Sequence, residues 1–266
     1  MKEVESNKHA WSQVSRDHYF SFKKSLLDGR HQFNTYIKNE LGDLSGKKVI
    51  HLQCNTGADT ILLARMAESA VGVDLVPDNI HYAKKLAEDL NITNVQFIES
   101  DIMEFMEKHN EKYDVVFVSE GAIGWLPDLN KWAKTIRHLL KDDGFFYMFD
   151  SHPFFLMLNT EKLPKEVLEV QYPYFGKLPD VDDSIGGYAS EPKHGVKAYF
   201  WMYTVSDLIN SLTSAGLHIE YLNEFKENFF NAGGMEIVGE NGLFNYDYNN
   251  DKFPMSVSIK ATVYNR

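Results

Sequence analysis

The stretch KKVIHLQCNTGADTILLARMAESAVGVDLVPDNI, residues 47–80, decides the fold. Its first part, Val49-Ile50-His51-Leu52, is a short, mostly apolar run and reads as a buried strand. Asn55-Thr56-Gly57 is turn chemistry. Residues 58–70 predict a helix, because Leu63, Met66, Ala67 and Ala70 recur at helical spacing on one face. Residues 71–75, VGVDL, predict a second strand. Pro77 then suits the first turn of a following helix, where its missing N–H costs nothing.

Downstream the same unit repeats. Strands are predicted at 95–98, 113–118 and 144–149, with helices at 102–108 and 129–140. Strands alternating with helices imply parallel pairing through right-handed crossovers. Strands this apolar belong to a sheet covered on both faces. Residues 205–215 predict a helix stopped by Gly216. Residues 217–225 and the alternating stretch 255–263 then predict a closing antiparallel hairpin. The expected fold is α/β: a doubly wound, mostly parallel seven-stranded sheet with a C-terminal antiparallel hairpin and helices on both faces.

Two segments fall outside this rhythm. Residues 4–41 read as helical and aromatic-rich, so residues 1–46 are expected to form an N-terminal helical cap on a domain over 47–266. Residues 151–203 carry five of the eight prolines and six Tyr or Phe residues between Phe154 and Tyr188. A segment this long without periodicity suggests a substrate-side insertion or lid. The loop at 228–252 has no readable purpose.

Composition narrows the function. The 266 residues are 44% apolar and 24% charged, ordinary for a soluble globular domain. The net charge of −11 argues against a nucleic-acid partner, whose phosphates need cations. One cysteine, Cys54, forbids an intrachain disulfide. With no apolar leader and no membrane-length run, a cytoplasmic setting and no membrane partner are expected.

Open α/β sheets bind ligands at the carboxyl ends of their strands. Here those ends read Gln53-Cys54-Asn55-Thr56-Gly57, Asp74-Leu75, Ser100-Asp101-Ile102 and Ser119-Glu120-Gly121. A dinucleotide fingerprint would need glycine at 53, 55 and 58, and none is present, which argues against a nicotinamide oxidoreductase. Asn55 tolerates the left-handed backbone that glycine would otherwise supply. Asp74 can accept both hydroxyls of a ribose, Asp101 the amino group of an adenine, and Leu75 and Ile102 can sandwich the base. That set suits adenosine and leaves nothing for a pyrophosphate. Asp101 is also placed to cap the helix at 102. Cys54 reads as a small spacer and His51 as a hydrogen-bonded strand residue.

VIHLQCNTG, VGVDLVPDNI, FIESDIMEF and the run from Tyr113 to Pro153 together resemble, in order and spacing, the core of a class I S-adenosylmethionine-dependent methyltransferase. His51, Gln53 and Asn55 depart from that family's usual acid and two glycines. The resemblance implies S-adenosylmethionine as cofactor, with Gln53, Asn55, Gly57, Asp74, Leu75, Asp101, Ile102 and Ser119 around it and Tyr19 closing from the N-terminal helix. Glu120, Trp125, Asp150 and His152 are the candidates on the acceptor side, Trp125 and nearby tyrosines as walls of the site able to meet the cationic sulfur. The acidic balance favours a small-molecule acceptor. No metal follows from the chemistry, and no catalytic residue is assigned. The altered loop keeps a second reading open: a non-catalytic binder of S-adenosylmethionine or its demethylated product.

Overall fold

The computed structural model describes residues 2–238 and 242–264. Three helices come first: α1 (Lys2–Ser12), α2 (Ser15–Leu27) and α3 (Thr35–Leu41). The alternating core follows as β1 (Lys48–Leu52), α4 (Ala58–Met66), β2 (Ser69–Asp74), α5 (Pro77–Asp89), β3 (Val95–Glu99), α6 (Ile102–Lys108), β4 (Tyr113–Ser119), α7 (Leu129–Leu139) and β5 (Leu140–Ser151). The insertion holds α8 (Pro153–Leu156) and a hairpin of β6 (Asp180–Ile185) and β7 (Lys193–Phe200). The chain closes with α9 (Val205–Ser214), β8 (Leu217–Phe225), a small hairpin of β9 (Glu236–Val238) and β10 (Leu243–Asn245), and β11 (Ser256–Val263).

The main sheet runs β3-β2-β1-β4-β5-β11-β8. Its first five strands are parallel, and β11 slots antiparallel between β5 and β8. This is the expected seven-stranded sheet with its closing hairpin. The strand order reverses between β1 and β4, the switch point at whose carboxyl ends sheets of this kind bind ligands.

Alternation builds the layers. Val116 and Val118 face one side with Trp132 and Ile136 of α7 and Leu212 of α9. Val115 and Phe117 face the other with Ile37 of α3 and Leu63 of α4. All nine side chains are buried, each contributing about 1.5–3 kcal/mol or more. α3 therefore lies on the sheet as a core helix, while α1 and α2 sit apart from it, so the 1–46 segment divides into two structural roles.

Local chemistry moved several boundaries. α4 ends at Met66 rather than 70 because the Asn94 side chain donates to the carbonyls of Ala64, Ala67 and Glu68 (2.7, 3.3 and 3.1 Å), which turns the chain early into β2. β5 begins at Leu140, directly from α7, through an irregular register against β4. The 151–203 segment contains a hairpin that periodicity missed, because β6 (DVDDSI) buries only Ile185. The 228–252 loop is organised by Asn249, fully buried, whose amide bonds Lys226 O, Asn245 Oδ1 and both backbone groups of Phe253. Among the described residues no helix is long and apolar enough to cross a membrane.

Candidate functional site

The loop after β1 turns through three left-handed residues: Gln53 (φ 58°), Asn55 (φ 51°) and Gly57 (φ 80°). Gln53 and Asn55 hold positions that strain a side chain, and their amides hold the loop in return. Gln53 Nε2 donates to Ala122 O (2.9 Å), tying this loop to the one after β4. The Thr56 N–H donates to Asn55 Oδ1 (2.7 Å), which fixes the amide's orientation. Gly57 is obligatory on space as well, since a Cβ there would lie 2.6 Å from the Phe97 ring.

Asp74 ends β2, nearly buried. Its Oδ1 accepts from Val76 N (2.9 Å) and Asn79 Nδ2 (3.1 Å), and its Oδ2 from Asn55 N (2.8 Å). Burial pushes its pKa up to about 6 against the pull of these donors. Asp101 caps α6, taking Met103 N on Oδ1 (2.8 Å), which leaves Oδ2 uncommitted among the described residues. Leu75 follows Asp74 partly exposed, and Ile102 follows Asp101 buried.

On the other side of the switch point, Glu120 follows β4. It is an exposed residue at the carboxyl end of that strand. Loss of water, then the nearby carboxylates of Asp59 and Asp150, hold its pKa well above the ordinary range. Its one side-chain hydrogen bond is from Asn34 Nδ2 (3.3 Å). Among the described residues Asp74, Glu120 and Asp150 have no lysine or arginine at ion-pair distance.

Beneath Glu120 runs a buried polar chain. Ser119 donates to Asp59 Oδ2 (2.7 Å), so its oxygen accepts from His51 Nε2 (3.1 Å), and His51 Nδ1 accepts from Thr60 (2.9 Å). Asp59 Oδ1 meets His31 Nε2 at 2.8 Å. Burial holds the His51 pKa down to about 4, so the imidazole is neutral and structural. Ser119, expected beside the cofactor, is taken up by this chain on both sides.

Other sequence candidates are placed elsewhere. Tyr19 is buried on α5, stacked on Tyr82 at 5.3 Å and bonded to Asp89, because α2 turns that face to the core. Its neighbour His18 reaches the loop instead, with Nδ1 3.2 Å from Asn55 Oδ1. Trp125 packs edge-on against Trp11 (5.1 Å) in a cluster with Ile185 and Ala198. His152 caps α8 through Nδ1 (3.0 Å from Phe154 N) and meets Glu224 through Nε2 (2.8 Å), so both nitrogens have protein partners. Asp150 accepts four backbone N–H groups, from Gly121, Ala122, Ile123 and Ser151 (2.6–3.0 Å). It builds the loop that carries Glu120.

Two contributors escaped the sequence reading. Tyr188, from the turn between β6 and β7, places its hydroxyl 3.4 Å from both Asn55 Nδ2 and His18 Nδ1. Asn7 of α1 clasps β7, donating to Tyr199 O (2.7 Å) and accepting from Tyr199 N (2.6 Å). Helix and hairpin, nearly two hundred residues apart, thus form one lid. No spacing in the sequence could have announced that pairing. Among the described residues no group of three or more His, Cys, Asp or Glu side chains is arranged to hold a metal ion.

A family model described as a methyltransferase domain matches residues 43–180, just over half of the chain. The chain belongs to the class I S-adenosylmethionine-dependent methyltransferases. S-adenosylmethionine is therefore its cofactor, and the methyltransferase offers an acceptor-rich loop for it: the Asp74 carboxylate, the uncommitted Asp101 oxygen, and a buried Gln53 Oε1 with no protein partner. Those acceptors fit a ligand rich in hydroxyl and ammonium donors.

The methyltransferase is 29% identical over 114 residues to an uncharacterized RNA methyltransferase of Clostridium acetobutylicum, covering 43% of this chain and 25% of that one. It is 28% identical over 116 residues to a ubiquinone biosynthesis O-methyltransferase of Actinobacillus pleuropneumoniae, covering 42% and 49%. The chain thus spans about a quarter to a half of the length of these curated relatives. A solved S-adenosylmethionine-dependent methyltransferase from Clostridium acetobutylicum shares the fold, with a TM-score of 0.56 over 93% of this chain and 92% of that one at 15% identity.

Proposed function

We propose that this enzyme transfers a methyl group from S-adenosylmethionine to a small-molecule acceptor held above Glu120. The single observation that carries this reading is an acid at the end of β4, across the switch point from the acceptor-rich ends of β1, β2 and β3 at Gln53, Asp74 and Asp101. Asp74 takes the ribose hydroxyls, Asp101 the adenine amino group, Leu75 and Ile102 the faces of the base, and the loop from Gln53 to Gly57 the amino-acid end. When bound, the cofactor supplies a methyl group on a cationic sulfur. The lid excludes water, and alignment of two reactants in a dry cleft contributes several kcal/mol. Glu120, its pKa raised, takes the proton that a hydroxyl or ammonium acceptor must lose. The net charge of −11 and the carboxylates of the cleft disfavour a polyphosphate backbone.

The RNA methyltransferase relative favours a second acceptor class, RNA. One experiment separates the readings. The purified chain is titrated with S-adenosylmethionine and its demethylated product by calorimetry, then incubated with labelled cofactor and pools of phenols, amines and RNA. Label in a small molecule is expected. Label only in RNA replaces the acceptor assignment, and tight binding without transfer to any pool makes the protein a binder.

A further inference from the structure

The walls of the cleft contain one aromatic side chain that the reading above does not use. Tyr188 stands just past Gly186 and Gly187, both at positive φ (98° and 99°), which fold the hairpin turn back over the strand ends. It is 54% exposed. Its hydroxyl accepts from Asn55 Nδ2 at 3.4 Å. The His18 Nδ1 proton is directed to Asn55 Oδ1, so the phenol proton has no protein acceptor among the described residues. Behind it, the fully buried His18 ring meets the tyrosine ring at 4.8 Å and 62°, and Trp11 and Phe22 meet His18 in turn. The ring is buttressed on one side and open on the other.

We infer that Tyr188 is a specificity-determining residue for the charged form of the cofactor, its ring forming the face against which the positive sulfur lies. An aromatic face attracts a cation through its quadrupole. Trp125, the sequence candidate for this role, is committed to Trp11. Once the methyl group has left, the sulfur is neutral and the contact loses its electrostatic part, so the same residue favours entry of the reactant and release of the product.

This inference rests on the cofactor assignment above, and its test keeps the two apart. Dissociation constants for S-adenosylmethionine and S-adenosylhomocysteine are measured by calorimetry on the full chain and on Y188F, Y188W and Y188L. The affinity ratio of charged to neutral ligand is the readout. It is expected to stay within about twofold of wild type in Y188F, to hold or rise in Y188W, and to fall roughly 3- to 10-fold in Y188L. Equal weakening of both ligands in Y188L, no change in either, or a ratio in Y188W well below wild type would overturn it. A wild-type chain that binds neither ligand overturns the cofactor assignment itself, whatever the variants do.

Discussion

The two halves of the cleft each carry a buried aspartate at a strand end, and the two do different jobs. Asp74 closes β2 and Asp150 lies near the end of β5. A carboxylate offers about four acceptor sites. Asp150 fills them with four backbone N–H groups and has nothing left for a ligand. Asp74 accepts from two backbone N–H groups and one amide, with a single hydrogen bond on Oδ2. Residue type, burial and position are alike. The number of unused acceptor sites separates a girder from the residue proposed to hold the ribose.

The largest effect that can break this comparison is on stability. Asp150→Ala leaves four backbone N–H groups to seek water, and is expected to cost on the order of 3–4 kcal/mol. For a chain of this size that lowers the melting temperature by roughly 10 °C, read by circular dichroism. An Asp150→Ala variant that keeps its melting point but loses cofactor affinity would reverse the assignment. Asp74→Ala should do the opposite: a smaller thermal shift with cofactor affinity down about 100-fold or more in calorimetry, since a buried acceptor for two hydroxyls is gone.

Acidity sharpens the contrast further. The folded pKa of Asp74, about 6, lies above the ordinary carboxylate value. Protonation therefore favours the ligand-free fold, and this contribution to stability is complete below the ordinary pKa and lost as pH rises through about 6. Ligand binding needs the ionised form, so affinity should fall roughly tenfold between pH 7 and pH 5. Asp74→Ala should flatten that dependence. An affinity that is constant across this range would mean Asp74 does not hold the ribose.

The sheet was legible because its strands are apolar on both faces and its helices carry clean spacing, as at Leu63 and Val115–Val118. The acids of the proposed cradle were easy to place for a related reason: Asp74 and Asp101 follow those strands directly, so finding the strand finds the acid. Sequence alone could not tell Asp74 from Asp150, since acceptor occupancy depends on which N–H groups the fold delivers. It also placed the lid's aromatic one residue away, at Tyr19 rather than His18, because α2 is amphipathic only weakly and its facing is set by α5. Tyr188 and Asn7 stayed invisible because their partners lie far along the chain. Ser119 read as a ligand contact because a hydroxyl at a strand end looks the same whether or not His51 and Asp59 lie beneath it.

The Asn7 clasp has one more consequence. A two-stranded ribbon exposes rows of unmet amides along its margins, and such margins template intermolecular pairing. By lending its carboxamide to both backbone groups of Tyr199, Asn7 imitates a neighbouring peptide and blunts one rim of the ribbon. The helix that carries it thereby covers a margin that would otherwise invite one molecule to zip onto the next.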